Sequence, residues 1–211
     1  MRFLGALLGA GMVLAAGGTW HANAQDSTPL TAKVVKLTGT ARVSEGGKPW
    51  QMLKVGDVLK PGSLVQTAKT KATLDVQISD GNAVRLYDDS AVEFKTLATK
   101  GAGAGRVEEV ELDLKAGQIL GVVKKFQEGS EYRIMVPTGA GGIRGGTSDA
   151  RGTAYVLKSS GALTVLAGKM VIAIASDNTV AQVVETDQQF DPATGKVEKL
   201  AADAPERKLW K

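Results

Sequence analysis

Apolar and polar residues alternate with a period of two in many short stretches of this chain. The clearest stretch runs from Ala72 to Ser79, where every second residue is apolar and the residues between are polar. This pattern is typical of a β-strand with one buried face and one solvated face. Asp80-Gly81 follows, a dipeptide that favours a tight hairpin turn, and the alternation resumes after it.

The same alternation predicts further strands around Val92, from Val110 to Leu114 and from Tyr132 to Val136. Two largely apolar runs, Leu163–Leu166 and Val171–Ala175, predict strands that are covered on both faces. No amphipathic helical pattern occurs between residues 33 and 184. We therefore predict an all-β fold, with a dozen or so short and mainly antiparallel strands that form a sandwich or a β-helix-like roll.

A weak internal repeat places a glycine in the fourth position of three apolar segments. These segments are Leu53–Leu59, Leu114–Leu120 and Val165–Val171. Glycine takes a positive φ without steric cost, so each segment predicts a strand, a tight turn and a second strand. The copies are too few and too unevenly spaced for a regular solenoid, and they favour stacked hairpins or a coiled roll.

The first 24 residues have the pattern of a cleavable export signal. Arg2 precedes the apolar stretch Phe3–Ala16, and Ala22-Asn23-Ala24 offers a site for signal peptidase that leaves Gln25 as the new N-terminus. The apolar stretch is shorter than the roughly 20 residues that span a bilayer. The predicted organisation is a signal peptide over 1–24, a linker over 25–32, an all-β domain over 33–186 and a polar C-terminal extension over 187–211, in a periplasmic or secreted protein.

Composition limits the chemistry of the exported chain. The chain has no cysteine, and its single histidine, His21, leaves with the signal peptide. Most familiar catalytic and metal sites depend on these two residue types, so we predict neither an enzyme nor a cofactor or metal site. The 26 basic and 22 acidic residues are interspersed, which argues against a nucleic-acid-binding protein. No second apolar segment is long enough to cross a membrane.

The segment Tyr132–Thr138, with the small residues that follow it, resembles the FecR domain of bacterial envelope proteins. That family typically shows a strand, a Thr/Val-Pro-Thr turn, a stretch of small residues, and an Arg-Gly-Thr element that leads into another strand. Ile143-Arg144-Gly145 and Arg151-Gly152-Thr153 both look like the last element, so its position stays open. The resemblance extends over roughly 34–175.

The resemblance implies an extracytoplasmic all-β module. In the best known members this module follows a cytoplasmic anti-sigma segment and a transmembrane helix, and it receives a signal from the periplasmic domain of a TonB-dependent outer-membrane receptor. Here an export signal stands in that place, so the relay to a sigma factor is not carried over. We expect a non-catalytic protein for protein–protein interaction or signal sensing in the cell envelope, with an outer-membrane receptor as one candidate partner. The oligomeric state stays open.

Four residues are candidate partner contacts. They are Arg144, Arg151, Thr153 and Trp50. The two arginines sit in a turn region, from which a guanidinium group can bind a partner's carboxylate, or instead pair with an acid inside the fold. Trp50 follows Gly47-Lys48-Pro49 and is either an anchor at the rim of the core or a platform for a ligand.

Two other classes of function remain as alternatives. A polysaccharide-binding module would place Trp50 with Tyr87, Tyr132 or Tyr155 on one concave surface. A glycosidase or lyase would require two acids that converge in a cleft. The candidate acids, which the pattern places on solvated strand faces or in turns, are Asp88, Asp89, Glu93, Glu108, Glu109, Glu111 and Asp113.

Overall fold

The computed structural model of the chain describes residues 27–101, 105–124, 127–144, 152–174 and 181–209, which form two packed β-sheets. The first sheet contains β1 (Ser27–Pro29), β3 (Ala41–Glu45), β4 (Gln51–Met52), β6 (Ser63–Thr67), β9 (Ala91–Lys100), β10 (Val107–Ala116), β12 (Glu131–Val136), β13 (Gly139–Arg144), β16 (Lys169–Ile174) and β17 (Ala181–Glu185). The second contains β2 (Ala32–Thr38), β5 (Val58–Leu59), β7 (Thr73–Ser79), β8 (Asn82–Leu86), β11 (Gln118–Val123), β14 (Thr153–Lys158), β15 (Leu163–Ala167), β18 (Gln188–Asp191) and β19 (Lys196–Lys199). One short helix, α1 (Glu206–Leu209), follows. The predicted all-β fold class is confirmed.

In both sheets the strands lie roughly in sequence order, with the N-terminal strands at one end and the C-terminal strands at the other. The first has the order β17-β16-β13-β12-β10-β9-β6-β3-β4, with β1 beside β9, and the second has the order β19-β18-β15-β14-β11-β8-β7-β2-β5. Strands β10 and β12 are paired in parallel, because the strand between them in sequence, β11, belongs to the opposite sheet. The other pairs in the described residues are antiparallel, so the molecule is a sandwich with one roll-like turn.

The core lies between the two sheets and consists of the inward positions of the period-two pattern. Leu74, Val76 and Ile78 of β7 are fully buried, as the alternation predicts. The aromatic residues Phe94 and Phe190 add two of the larger buried side chains. Burying a side chain of this size contributes roughly 1.5–3 kcal/mol, so the contiguous core is the main source of stability in a chain without cysteine.

The repeated glycines mark points where the chain passes from one sheet to the other. Gly56 lies between β4 and β5, Gly117 between β10 and β11, and Gly168 between β15 and β16. Their φ angles are 98°, 80° and 75°, so the prediction of positive φ at these junctions is confirmed. The repeat is therefore a signature of sheet crossing.

The two sheets extend past two of the predicted boundaries. The expected linker over 25–32 contributes β1, which pairs with β9, and the first residue of β2. The expected extension over 187–211 continues the second sheet, because β18 pairs with β15 and carries the buried Phe190. Helix α1 is held by an ion pair between Lys158 and Glu206 at 2.9 Å. The predicted signal peptide lies outside the described residues.

Strands are also more numerous than the dozen or so expected, with nineteen in the described residues. The difference comes largely from strands such as β4 and β5, which have two residues each. A period of two cannot be recognised in two residues. Their presence follows from the neighbouring strands β3 and β2, with which they pair.

Candidate interaction site

A groove of about 490 Å³ crosses the outer face of the first sheet at β12, β13, β16 and β17. Strand β13 forms its floor with Ala140 and Gly142, which carry almost no side chain. On the inner side of the same strand, a Cβ at Gly141 would lie 2.6 Å from Cε of Met170. The small residues of β13 thus admit a core methionine on one face and leave a trough on the other.

The wall formed by β16 and β17 is apolar along most of its length, with Lys169 at the first position of β16. Val171 and Val183 line it and are 42% and 50% exposed. The prediction that Val171–Ala175 is covered on both faces is wrong for the described part of the run. Met170 and Ile172 point into the core, whereas Val171 and Ala173 point outward, where they remain exposed.

The opposite wall is charged and comes from β12. Arg133 donates hydrogen bonds to Glu131 at 3.0 Å and to Glu111 at 3.4 Å. Glu111 also pairs with Lys95 of β9 at 3.3 Å. This cross-strand ladder holds the Arg133 side chain on the β12 side of the groove.

Most of the candidate catalytic acids lie in the same outer-face ladder. Glu93 and Asp113 are directly opposite each other on β9 and β10, but Lys115 binds both at 2.9 Å. The hydrogen bonds to Asp113 and Glu93 raise the pKa of Lys115. Glu109 pairs with Lys100 at 2.8 Å. Because a cation stands between these acids on a sheet face, they stabilise the sheet surface rather than flank a cleft.

Three further acids have structural contacts of their own. Glu108 accepts hydrogen bonds from Ser79 at 2.8 Å and from Asn82 at 3.1 Å, which ties β10 to the β7–β8 hairpin of the other sheet. Asp88 accepts a hydrogen bond from the backbone N–H of Lys71 at 3.3 Å. Asp89 takes a φ of 52° in the turn before β9. None of these contacts brings two acids over the groove.

Two of the three tyrosines that the polysaccharide alternative would place beside Trp50 lie in the core. Tyr132 and Tyr155 are buried in the core, with their rings in an edge-to-face arrangement at 6.3 Å between centroids. Burial raises the pKa of both phenols. Tyr87 follows β8 of the second sheet, whereas Trp50 precedes β4 of the first. Burial therefore removes Tyr132 and Tyr155 from any exposed aromatic surface around Trp50.

The structure places the four candidate contact residues in different environments. Trp50 is 39% exposed, and the guanidinium carbon of Arg42 lies 4.4 Å from the centroid of its ring, a cation–π contact. Thr153 is 1% exposed and donates a hydrogen bond to the carbonyl of Lys169 at 3.2 Å, so its buried position removes it from the candidate contacts. Arg144 ends β13 opposite Glu131, and Arg151 lies outside the described residues.

In the part of the chain that the structure describes, no group of three or more acidic, histidine or cysteine residues is arranged to hold a metal ion. Over the same residues, no helix combines the length and apolar character needed to cross a membrane.

The groove lies largely within a segment that matches a known family. Residues 64–170 match the family model described as FecR protein, which amounts to half of the chain. The chain belongs to the FecR family. The resemblance seen at Tyr132–Thr138 is thereby confirmed, and a FecR domain indicates a regulatory, signal-transduction role in the cell envelope, in a family that is non-enzymatic. No curated protein matches the chain.

Proposed function

We propose that this FecR-family chain is an exported, non-catalytic protein of the bacterial cell envelope that binds an extended segment of a partner protein in the outer-face groove. The groove is the observation that carries the proposal. It combines an apolar wall at Val171 and Val183 with a charged wall at Arg133 and Glu131, and its floor is bare backbone at Gly142.

These features suit an extended peptide. Alternate side chains of such a segment point to opposite sides, so one set contacts the exposed valines and the other faces the charges of β12. Neighbouring exposed apolar side chains on a sheet face are typical of a surface that binds a partner. The partner we favour is an envelope protein, with the periplasmic part of an outer-membrane receptor as the first candidate, as the family resemblance implies.

A substitution on the groove floor tests binding without disturbing the core. The nearest atom to a Cβ at Gly142 is the carbonyl oxygen of Tyr132 at 3.7 Å, an ordinary contact, so Gly142→Leu has room to fold while its side chain fills the groove. The matched control is Ala193→Leu in the exposed turn between β18 and β19. Each protein is used to capture partners from detergent extracts of the cell envelope.

We expect the natural chain and Ala193→Leu to recover the same envelope protein, and Gly142→Leu to recover at least about tenfold less. Equal recovery by all three proteins would contradict the assignment of the groove. Binding of purified envelope glycans, with no protein recovered, would favour the polysaccharide-binding alternative instead.

Export is tested separately. We expect the protein recovered from the periplasm or the medium to begin at Gln25, and a variant without residues 3–16 to stay in the cytoplasm. N-terminal sequencing of fractionated cells measures both. A chain that keeps Met1 and is found only in the cytoplasm would contradict the proposed location.

A further inference from the structure

A second surface lies at the end of the sandwich where β4 and β5 are the last strands of the two sheets. The segment from Trp50 to Lys60 contains both strands and links one sheet to the other, with Leu53 buried beneath it. Seven large apolar side chains are exposed in the described residues, and five of them lie on this segment or on the adjoining β2. These five, each 39–61% exposed, are Val35, Trp50, Met52, Val55 and Val58.

The same end of the molecule is strongly basic. Eight basic and two acidic residues lie between positions 27 and 72. The whole chain has an excess of only four basic residues, so the rest of it carries no net positive charge. The mixture of signs expected from the sequence as a whole therefore does not hold locally. We call the five apolar residues above and the following exposed residues the basic end: Lys33, Lys36, Arg42, Lys48, Lys54 and Lys60.

The positive charges of the basic end are not neutralised within the described residues. In that part of the chain, none of its five lysines forms an ion pair. The nearby Asp57 carboxylate is engaged by the backbone N–H of Lys54 at 2.8 Å. Arg42 covers one face of Trp50 and donates to Gln66 at 2.7 Å. The lysine ammonium groups are therefore available to an anionic partner.

We infer that the basic end binds the surface of an anionic lipid bilayer. Charge complementarity requires a negative partner, and the exposed Trp50, Met52 and Val55 require one with an apolar phase beneath its charges. A nucleic acid or an acidic glycan has no apolar phase that aliphatic side chains such as Met52 and Val55 can enter. A bilayer offers both, because the exposed side chains of this segment enter the headgroup region while the lysines around them contact lipid phosphates.

This inference is independent of the groove, since the two surfaces lie at different places on the molecule. The whole basic end also lies before residue 64, outside the segment that matches the family. A FecR-family chain with this end would rest against a membrane and still present its groove. The basic end therefore adds a membrane contact to the proposed binding of a partner protein.

Vesicle co-sedimentation tests the inference, with the protein purified as cells process it. We expect binding to vesicles that contain phosphatidylglycerol and little binding to phosphatidylcholine alone. A lysine near an anionic surface strengthens binding about fivefold. Lys48→Gln, Lys54→Gln and Lys60→Gln together are therefore expected to weaken binding on the order of 100-fold. The matched control neutralises three exposed lysines at the other end of the sandwich: Lys196→Gln, Lys199→Gln and Lys208→Gln.

The control is expected to bind within a few-fold of the natural protein, because it has the same net charge as the test variant. An equal loss in both would show that binding reports net charge alone, and would overturn the site. Met52→Ser with Val55→Ser is expected to weaken binding, whereas Val183→Ser in the groove is not. Equal binding to both kinds of vesicle, or none at physiological salt, would also overturn the inference.

Fluorescence gives a second readout. The chain has three tryptophans, so Trp20→Phe with Trp210→Phe leaves Trp50 as the single reporter. Entry into the headgroup region is expected to shift its emission to shorter wavelength when phosphatidylglycerol vesicles are added. Sedimentation with no shift would mean that another part of the protein touches the lipid. A shift caused instead by an acidic protein, with none for vesicles, would assign the end to a protein partner.

Discussion

The hydroxyl groups of Tyr132 and Tyr155 lie 2.9 Å apart in the interior, within hydrogen-bonding distance. Tyr132 belongs to β12 of the first sheet and Tyr155 to β14 of the second, so this hydrogen bond joins the two layers through the core. It is a polar contact among apolar side chains, in which each buried hydroxyl group serves as a hydrogen-bond partner of the other.

Removing one hydroxyl of this pair is expected to cost more than removing both. Tyr132→Phe or Tyr155→Phe removes one side of a buried hydrogen bond, which we expect to lower the free energy of unfolding by about 1–3 kcal/mol. In the double variant both polar groups are gone and the rings keep their shape, so the two losses do not add. Urea unfolding of the four proteins measures this. Additive losses would show that the two hydroxyls do not interact.

Stability is expected to fall at alkaline pH because of the same pair. Burial holds the pKa of Tyr132 and Tyr155 above its ordinary value. Below pH of about 10 both phenols are protonated in the folded and unfolded chain, and their contribution is constant. Above it the unfolded chain loses protons that the folded chain keeps, so the free energy of unfolding falls by up to about 1.4 kcal/mol per pH unit for each tyrosine.

Urea unfolding at a series of alkaline pH values measures this slope, with the Tyr132→Phe/Tyr155→Phe protein as the control. That control keeps every other ionisable group of the chain and lacks the two buried phenols. The natural chain should show the steeper decline. The same slope in both proteins would contradict the assignment to the tyrosine pair.

Gly121 of β11 is expected to be intolerant of any side chain. It lies directly opposite Tyr155 in the sheet, and a Cβ at Gly121 would overlap the Tyr155 ring. We expect Gly121→Ala to lower the free energy of unfolding by at least about 2 kcal/mol through overpacking. Gly142→Ala, in a strand with open space on its outer side, is the control and should change it by less than about 0.5 kcal/mol. Similar thermal midpoints for the two variants would contradict this.

The crossing glycine Gly117 is expected to be constrained twice, by its φ angle and by its neighbours. Gly47 has a similar φ, 78° against 80°, but nothing lies within 4 Å of a Cβ there. Gly47→Ala should therefore show the backbone cost alone, about 1–2 kcal/mol. A Cβ at Gly117 would overlap the Ser90 side chain and lie 2.6 Å from the carbonyl oxygen of Asp89. We expect Gly117→Ala to lower the free energy of unfolding by at least about 3 kcal/mol, measured by chemical unfolding. Equal losses in the two variants would show that the contacts of Gly117 with its neighbours do not matter.

The sequence predicts best those features that depend on residues close together in the chain. The alternation over residues 72–79 identifies β7 and its buried face, because both follow from a period of two. The three repeated glycines identify crossing points, because a positive φ is a local property. Pairing of β1 with β9 has no such signal, since it joins residues about 70 positions apart and depends on the closed shape of the sheet.

The groove also has no local signal in the sequence, because it depends on how the layers of the fold are arranged. A run such as Val171–Ala175 looks the same in sequence whether its outer face is covered or open, and only the layers of the fold decide which. Trp50 was singled out from sequence, but its position beside exposed lysines depends on β4 and β5, which are too short to predict. Thr153 matched a family element, although its hydroxyl faces a neighbouring backbone carbonyl.

The matching order of strands in the two sheets has a consequence for how the chain is made. Most strands pair with strands that are near them in sequence order. Each later hairpin therefore lies beside a sheet edge formed by earlier strands. A chain that emerges N-terminus first can thus fold progressively during synthesis, before its last residues have been made.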